Sequence, residues 1–170
     1  RLLSIAAGIS VASLPAAAGP DVAVVRAMPN TPALVGEGAA GICPGPTAGE
    51  ADLAWAESIL GSVGIVVRVP ESQLDAVTGV AGSGPAYLFL VAEAMIDAGV
   101  LAGLSRANSE ALVTQLFVGS SALLRERGEP AQLRAMVTSP GGTTAAGVRA
   151  LENHGVRAAF LEAVMAATER

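Results

Sequence analysis

The turn from Thr138 to Thr144, TSPGGTT, has the residue types that receive a small anion. Glycines followed by threonines at a helix start leave backbone N–H groups free, and the positive end of the helix dipole favours an anion there. A substrate carboxylate fits this position, and the hydroxyl of Thr143 or Thr144 can cap the helix or bond a ligand nitrogen. An ordinary capped turn has the same spacing, because Ser and Thr are common caps. The spacing alone leaves both interpretations open.

Two further segments are placed to meet a cofactor. Each follows a short apolar run that is predicted to be a strand: Ala6, Ala7 and Gly8 follow the first run, and Asn30 follows the second. Ligands of open α/β sheets bind beyond the carboxyl ends of the strands, which is where these segments lie. Asn30 also stands within MPNTP, and two prolines with an asparagine make a plain turn equally well.

The run Thr78 to Tyr87, TGVAGSGPAY, places three glycines between apolar helical stretches. Each glycine inside a helix costs about 1 kcal/mol relative to alanine, so the run needs a physical reason. Close backbone approach is that reason, and it suits either a tight helix crossing or the wall of a ligand pocket. Both interpretations stay open.

Another glycine pattern, Gly36 to Gly41, matches the spacing G-x-G-x-x-G but lacks its context. A dinucleotide fingerprint follows a strand and opens a helix, whereas this one follows a Thr-Pro turn and runs into an apolar segment. We therefore expect no phosphate-binding turn in these residues.

The elements that position these segments fall into two parts. Short apolar runs predict strands at residues 2–5, 22–28, 41–43 and 65–69, with a helix at 51–62 that Thr47 caps. From Glu71 onward the period changes to that of buried helices. The sequence therefore predicts an α/β part, residues 1–70, followed by an all-α part, residues 71–170.

Composition excludes several classes of function. The net charge is −5 and the ten basic residues are scattered arginines, whereas nucleic-acid binding needs a clustered basic face. The apolar stretches at residues 2–20 and 85–92 are interrupted or too short, since a membrane span needs roughly 20 apolar residues. We expect a cytoplasmic protein. Hydrophobic residues make up 52% of the chain, and we expect this apolar excess to be buried inside the fold or against another chain.

The single histidine and single cysteine limit the chemistry further. His154 lies in a polar turn and is expected to be a solvated surface residue without a catalytic role. One histidine and one cysteine predict no metal site.

Three motifs in register carry a resemblance to a known family. MPNTP at Met28, DAVTG through GSGPAY from Asp75 to Tyr87, and VTSPGGTT at Val137 closely resemble pyrroline-5-carboxylate reductase. The order and spacing of the motifs match, and the resemblance covers the whole chain.

The resemblance implies the last strands of a truncated Rossmann-type sheet in residues 1–70 and a helical dimerisation and substrate-binding domain in residues 71–170. It also implies an interlocked homodimer, often a decamer of five dimers. The family's first nucleotide-binding half, with its glycine-rich turn, has no counterpart in these residues. We therefore expect the 170 residues alone to have little or no reductase activity.

The implied reaction is reduction of 1-pyrroline-5-carboxylate to L-proline, the last step of proline biosynthesis, by hydride from NADPH or NADH. By position, the nicotinamide is expected at Ala6, Ala7 and Gly8, with Asn30 nearby. The substrate carboxylate and ring nitrogen are expected at Ser139, Gly141, Gly142, Thr143 and Thr144, with the Thr144 hydroxyl on the nitrogen. Glu71 matches a family carboxylate near the substrate.

Two alternatives and two departures accompany this interpretation. A related hydroxyacid dehydrogenase is expected to present a lysine as acid/base, and the chain has none. A non-catalytic helical dimerisation fragment is the other alternative. Arg127 stands where some members carry an acidic residue, and Met136 where some carry an asparagine that reaches the cofactor.

Overall fold

The structure, a computed structural model, describes residues 1–14, 19 and 21–170. The stretch between the first two predicted strands lies partly outside the described residues. The chain forms two compact units: residues 1–86 with 161–170, and residues 87–160. The predicted α/β part followed by a helical part is confirmed, while the domain division at residue 70 stays a prediction.

The first unit contains a four-stranded sheet in sequential order. The strands are β1 (Leu2–Ser4), β2 (Val24–Met28), β3 (Gly38–Pro44) and β4 (Gly64–Arg68). All four predicted strands are therefore present. The pairs β1–β2 and β3–β4 are parallel.

The central pair β2–β3 is antiparallel. The connection between these strands holds a single short turn, Thr31–Val35, whereas a parallel crossover needs roughly a dozen residues or more. The short connection therefore reverses the chain, and the rejected glycine pattern runs into β3, as its context indicated.

Helix α1 (Glu50–Leu60) covers one face of the sheet. Val25, Ala27 and Ile42 form the buried core there with Ala56, and Trp55 packs against it. The prediction that Thr47 caps this helix is wrong. The N-cap is Gly49, whose N–H donates to Asp52 Oδ2 at 2.9 Å, while the Thr47 hydroxyl donates to the Val22 carbonyl at 2.9 Å.

On the opposite face lies a second core of Val11, Cys43 and Leu74, against which Met28 and Val69 pack. Leu74 opens helix α2 (Leu74–Val77), which follows a 3-10 turn at Glu71–Gln73. Side chains of one strand alternate between faces, so the two cores flank the sheet.

The glycine-rich run forms a π-helical turn, Thr78–Gly82, directly after α2. Helix α3 (Gly84–Leu101) follows. The described residues hold one helical stretch, Glu71–Leu101, that is long and apolar enough to cross a membrane by length and composition alone. One such stretch is weak support for a span, because core helices of soluble proteins have the same composition.

The second unit is helical. After α3 come α4 (Arg106–Arg127), α5 (Pro130–Met136), α6 (Thr143–Asn153) and α7 (Val156–Thr168), which continues into the first unit. Ser105 caps α4, because its hydroxyl accepts from the Asn108 N–H at 3.2 Å. Helices α3 and α4 approach closely where Ser109 Oγ donates to the Ile96 carbonyl at 2.8 Å.

Gly79 explains part of the glycine-rich run. It is buried against the end of α7, where an added Cβ would collide with Thr168 Oγ1 and lie 2.8 Å from the Val164 carbonyl oxygen. An added Cβ at Gly84 meets nothing within 4 Å. The run therefore serves tight helix packing at Gly79.

We expect Gly79→Ala to lower the free energy of unfolding by about 1–3 kcal/mol, because overpacking forces backbone to shift. The matched control Gly84→Ala should be neutral or stabilise by up to about 1 kcal/mol. Urea unfolding followed by the fluorescence of Trp55 measures both. Equal losses in the two variants would contradict the packing role of Gly79.

Candidate functional site

The carboxyl ends of β1 and β2 lie at one edge of the sheet, because Leu2 pairs with Val24 and Ser4 with Arg26 in parallel register. The loop after β1 carries Ala6, Ala7 and Gly8, which are all exposed. Gly8 has a φ of 73° and open space where a Cβ would stand. The loop therefore offers bare backbone at the edge where α/β sheets bind ligands.

Asn30 lies at the same edge, after β2, and uses both ends of its amide. Its Nδ2 donates to the Ala81 carbonyl at 3.0 Å, and its Oδ1 accepts from the Ala39 N–H at 2.8 Å. The side chain thus ties the π-helical turn to the start of β3. With these two partners among the described residues, one hydrogen on Nδ2 and one lone pair on Oδ1 stay available to a ligand.

An apolar cavity of about 510 Å³ lies between the β3–β4 pair and the turn that follows α2. Its walls include Val80 and Ala81 of the glycine-rich run, so that run also lines a pocket. The strands supply five of the remaining lining residues, Ala39, Ala40, Gly41, Ile65 and Val67, and Val69 lines the cavity just after β4. No motif in the sequence predicted this cavity, although the apolar residues two apart in β4 are the signal for a sheet face.

Glu71 connects three segments of the first unit. Its Oε1 accepts from the Val11 N–H at 2.7 Å and from Arg26 Nη1 at 3.2 Å. Arg26 is only 7% exposed, although it carries a charge in the middle of β2. Neither Arg26 nor Val11 was predicted from the sequence as part of a site. An arginine among the apolar residues of a predicted strand was the available signal, because buried charges are paired.

Cys43 pairs with Arg26 across strands β2 and β3, and it is 1% exposed. Burial raises the pKa of its thiol, the Glu71 carboxylate raises it further, and Arg26 opposes both. Cys43 therefore forms the thiolate, which is the nucleophile, less readily than an ordinary thiol. Its role is packing against Val11 and Leu74.

The predicted anion-binding turn lies in the second unit. Gly142 is the N-cap of α6, and its N–H donates to the Ser139 carbonyl at 3.0 Å. Gly141 has a φ of 71°, which favours glycine. Thr143 and Thr144 are the first two helical residues, both exposed, and no side chain caps the helix. The first N–H groups of α6 therefore point outward without intrahelical partners.

The structure thus gathers the predicted site residues into two groups, one in each unit. Ala6, Ala7, Gly8, Asn30 and Glu71 belong to the first, and Ser139, Gly141, Gly142, Thr143 and Thr144 share one turn in the second. Their binding roles stay predictions. His154 is exposed and its Nδ1 lies 2.8 Å from the Ala150 carbonyl oxygen. Among the described residues no group of three or more His, Cys, Asp or Glu side chains could hold a metal.

Comparison with known proteins gives consistent matches. A family model described as pyrroline-5-carboxylate reductase dimerisation matches residues 71–170. A pyrroline-5-carboxylate reductase from Synechocystis sp. is 51% identical over 170 residues, which are 99% of this chain and 63% of that relative. The chain therefore spans less than two thirds of that relative's length.

Solved structures agree. The pyrroline-5-carboxylate reductase of Coxiella burnetii matches with a TM-score of 0.94 and 38% identity, over 99% of this chain and 64% of that one. The Plasmodium falciparum pyrroline carboxylate reductase, solved with NADP bound, matches with a TM-score of 0.89 and 38% identity, over 98% of this chain and 68% of that one. The sheet, the helices and these matches together show that the chain belongs to the pyrroline-5-carboxylate reductase family.

Proposed function

We propose that this chain is part of an NAD(P)H-dependent oxidoreductase that reduces 1-pyrroline-5-carboxylate to L-proline. The observation that carries the proposal is the 51% identity to a pyrroline-5-carboxylate reductase over 99% of the chain, so that both groups of predicted site residues fall within the match. The proposed enzyme is cytoplasmic and works in proline biosynthesis.

The proposed cofactor is NADPH or NADH, and the Plasmodium relative with NADP supports this choice. Residues of the first unit fit a nicotinamide: the loop of Ala6, Ala7 and Gly8 is exposed, and the open space at Gly8 admits close approach to backbone. Asn30 holds the neighbouring turn and has hydrogen-bonding capacity to spare.

The proposed substrate site is the turn before α6. The outward N–H groups at Thr143 and Thr144, with Gly141 and Gly142, receive the substrate carboxylate at the positive end of the helix dipole. Ser139 belongs to the same turn, and the Thr144 hydroxyl is assigned to the ring nitrogen. Glu71 is proposed to lie near the substrate as well; both of its contacts in the described residues use Oε1, which leaves Oε2 for a ligand.

When bound, the reduced nicotinamide supplies a hydride to the carbon of the C=N bond, the π electron pair moves to the nitrogen, and the dinucleotide leaves oxidised. A cyclic imine is readily protonated near neutral pH, so its nitrogen already carries the proton that the amine retains. The chain therefore needs to bind and orient the substrate rather than to supply a strong acid. The solvated His154 takes no part.

The proposed assembly is an interlocked homodimer, which in the family often forms a decamer. Support comes from the second unit, where large apolar side chains are exposed in the single chain and need a cover. They include Leu88, Phe89, Leu90, Leu112, Leu116 and Val118.

The test compares a full-length reductase containing this segment with the 170 residues alone. We expect oxidation of NAD(P)H with 1-pyrroline-5-carboxylate in the full-length protein and little or none in the isolated chain, because residues 1–170 offer no phosphate-binding turn. The absorbance of the reduced nicotinamide measures both.

Absence of imine reduction by the full-length protein overturns the proposed activity. Oxidation of a 2-hydroxy acid in its place would favour the dehydrogenase alternative. Clear turnover by the isolated chain overturns the requirement for the family's other half.

A further inference from the structure

Arg26 is a buried cation whose nearest carboxylate is that of Glu71. Its side chain is 8% exposed, and Nη1 lies 3.2 Å from Glu71 Oε1. The Asp75 carboxylate lies farther away, at 3.9 Å from Nη2, and is largely exposed. Because a buried charge needs a hydrogen-bonded partner, Glu71 is held toward β2 by Arg26.

The same oxygen of Glu71 reaches the loop after β1. The Val11 N–H donates to Oε1 at 2.7 Å across 60 residues of sequence. Hydrogen bonds to a charged acceptor are short and strong compared with neutral ones. Val11 is also held by packing against Leu74, which lies in the same turn of chain as Glu71.

The loop itself has few other attachments. Ile5 and Ile9 are exposed, as are Ala6, Ala7 and Gly8 between them. The hydrogen bonds near its ends are local: Ala6 N–H to Ser4 Oγ at 3.4 Å, and the hydroxyls of Ser10 and Ser13 at 2.8 Å. Glu71 therefore provides the long-range polar attachment of this loop within the described residues.

We propose that Glu71 is a positioning residue, whose carboxylate fixes the loop of Ala6, Ala7 and Gly8 to β2 through Val11 and Arg26. The loop's role toward the cofactor rests on the proposed function, whereas the attachment itself does not. In this role Glu71 acts on hydride transfer through the loop that receives the nicotinamide, and its primary contact is with the protein rather than with the substrate.

The test measures amide hydrogen exchange at Val11 by NMR on the 170-residue chain. Glu71→Ala should speed exchange of the Val11 amide roughly tenfold or more, because the amide loses a charged acceptor. Glu71→Gln should give an intermediate rate, since its amide oxygen still accepts. The matched control Asp75→Asn, on the next turn, should leave the rate unchanged.

A second pair of variants keeps the test decisive if Glu71→Ala leaves Arg26 unpaired and the chain unfolds. Arg26→Met removes the buried charge, and in this background the Val11 amide should stay protected until Glu71→Ala is added. Unchanged exchange at Val11 after removal of Glu71, in either background, overturns the proposal.

A kinetic arm separates this proposal from the proposed function. In a full-length reductase containing this segment, Glu71→Gln should raise KM for the dinucleotide roughly threefold or more, and by a larger factor than it raises KM for the imine. A larger rise in KM for the imine than in KM for the dinucleotide overturns the positioning role and favours substrate contact. If the full-length protein reduces no imine, the proposed function fails, and the exchange rates at Val11 still decide the attachment.

Discussion

Thr144→Ala in a full-length reductase containing this segment should lower kcat/KM for 1-pyrroline-5-carboxylate roughly 10- to 100-fold. The physical reason is loss of one hydrogen bond to a charged ring nitrogen, which contributes about 1.5–3 kcal/mol, and each 1.36 kcal/mol is a factor of ten in rate. Steady-state kinetics with saturating NAD(P)H measures the change.

Thr143→Ala is the matched control, because both threonines are exposed and lie in the first turn of α6. Neither variant should destabilise the helix, since alanine has the higher helix propensity. Thr143→Ala is therefore expected to change kcat/KM much less, and Thr144→Ser, which keeps the hydroxyl, should restore most of the activity. Equal losses at the two positions would undo the assignment of Thr144.

The largest expected effect on stability is at Leu74. This side chain is 0% exposed and packs with Val11 and Cys43 against the sheet. Leu74→Ala should lower the free energy of unfolding by about 2–5 kcal/mol, the sum of lost transfer energy and the cavity left behind. Urea unfolding followed by Trp55 fluorescence reports on this unit, because Trp55 is the chain's single tryptophan and packs against its other core.

Leu34→Ala is the same substitution on the surface of the same unit, at a side chain that is 90% exposed. Its free energy of unfolding should stay within about 0.5 kcal/mol of the parent. A loss at Leu34 as large as that at Leu74 would contradict the assignment of the second core.

Local sequence signals were sufficient for the elements and for the family. Short apolar runs predicted all four strands, and Ser105 and Gly128 cap the two ends of α4, because these features depend on residues near in sequence. The turn from Ser139 to Thr144 was also predictable as a helix start, since glycine and threonine spacing fixes local backbone. Three motifs in register then identified the family.

Tertiary structure alone decided what these segments touch. The glycine-rich run serves packing at Gly79 and lines the apolar cavity at Val80, two roles that composition left open. The Glu71 carboxylate meets Val11 and Arg26, which lie 60 and 45 residues away in sequence. Hydrogen bonds and packing at such separation depend on how the strands and turns are brought together in three dimensions, and no local pattern encodes that distance.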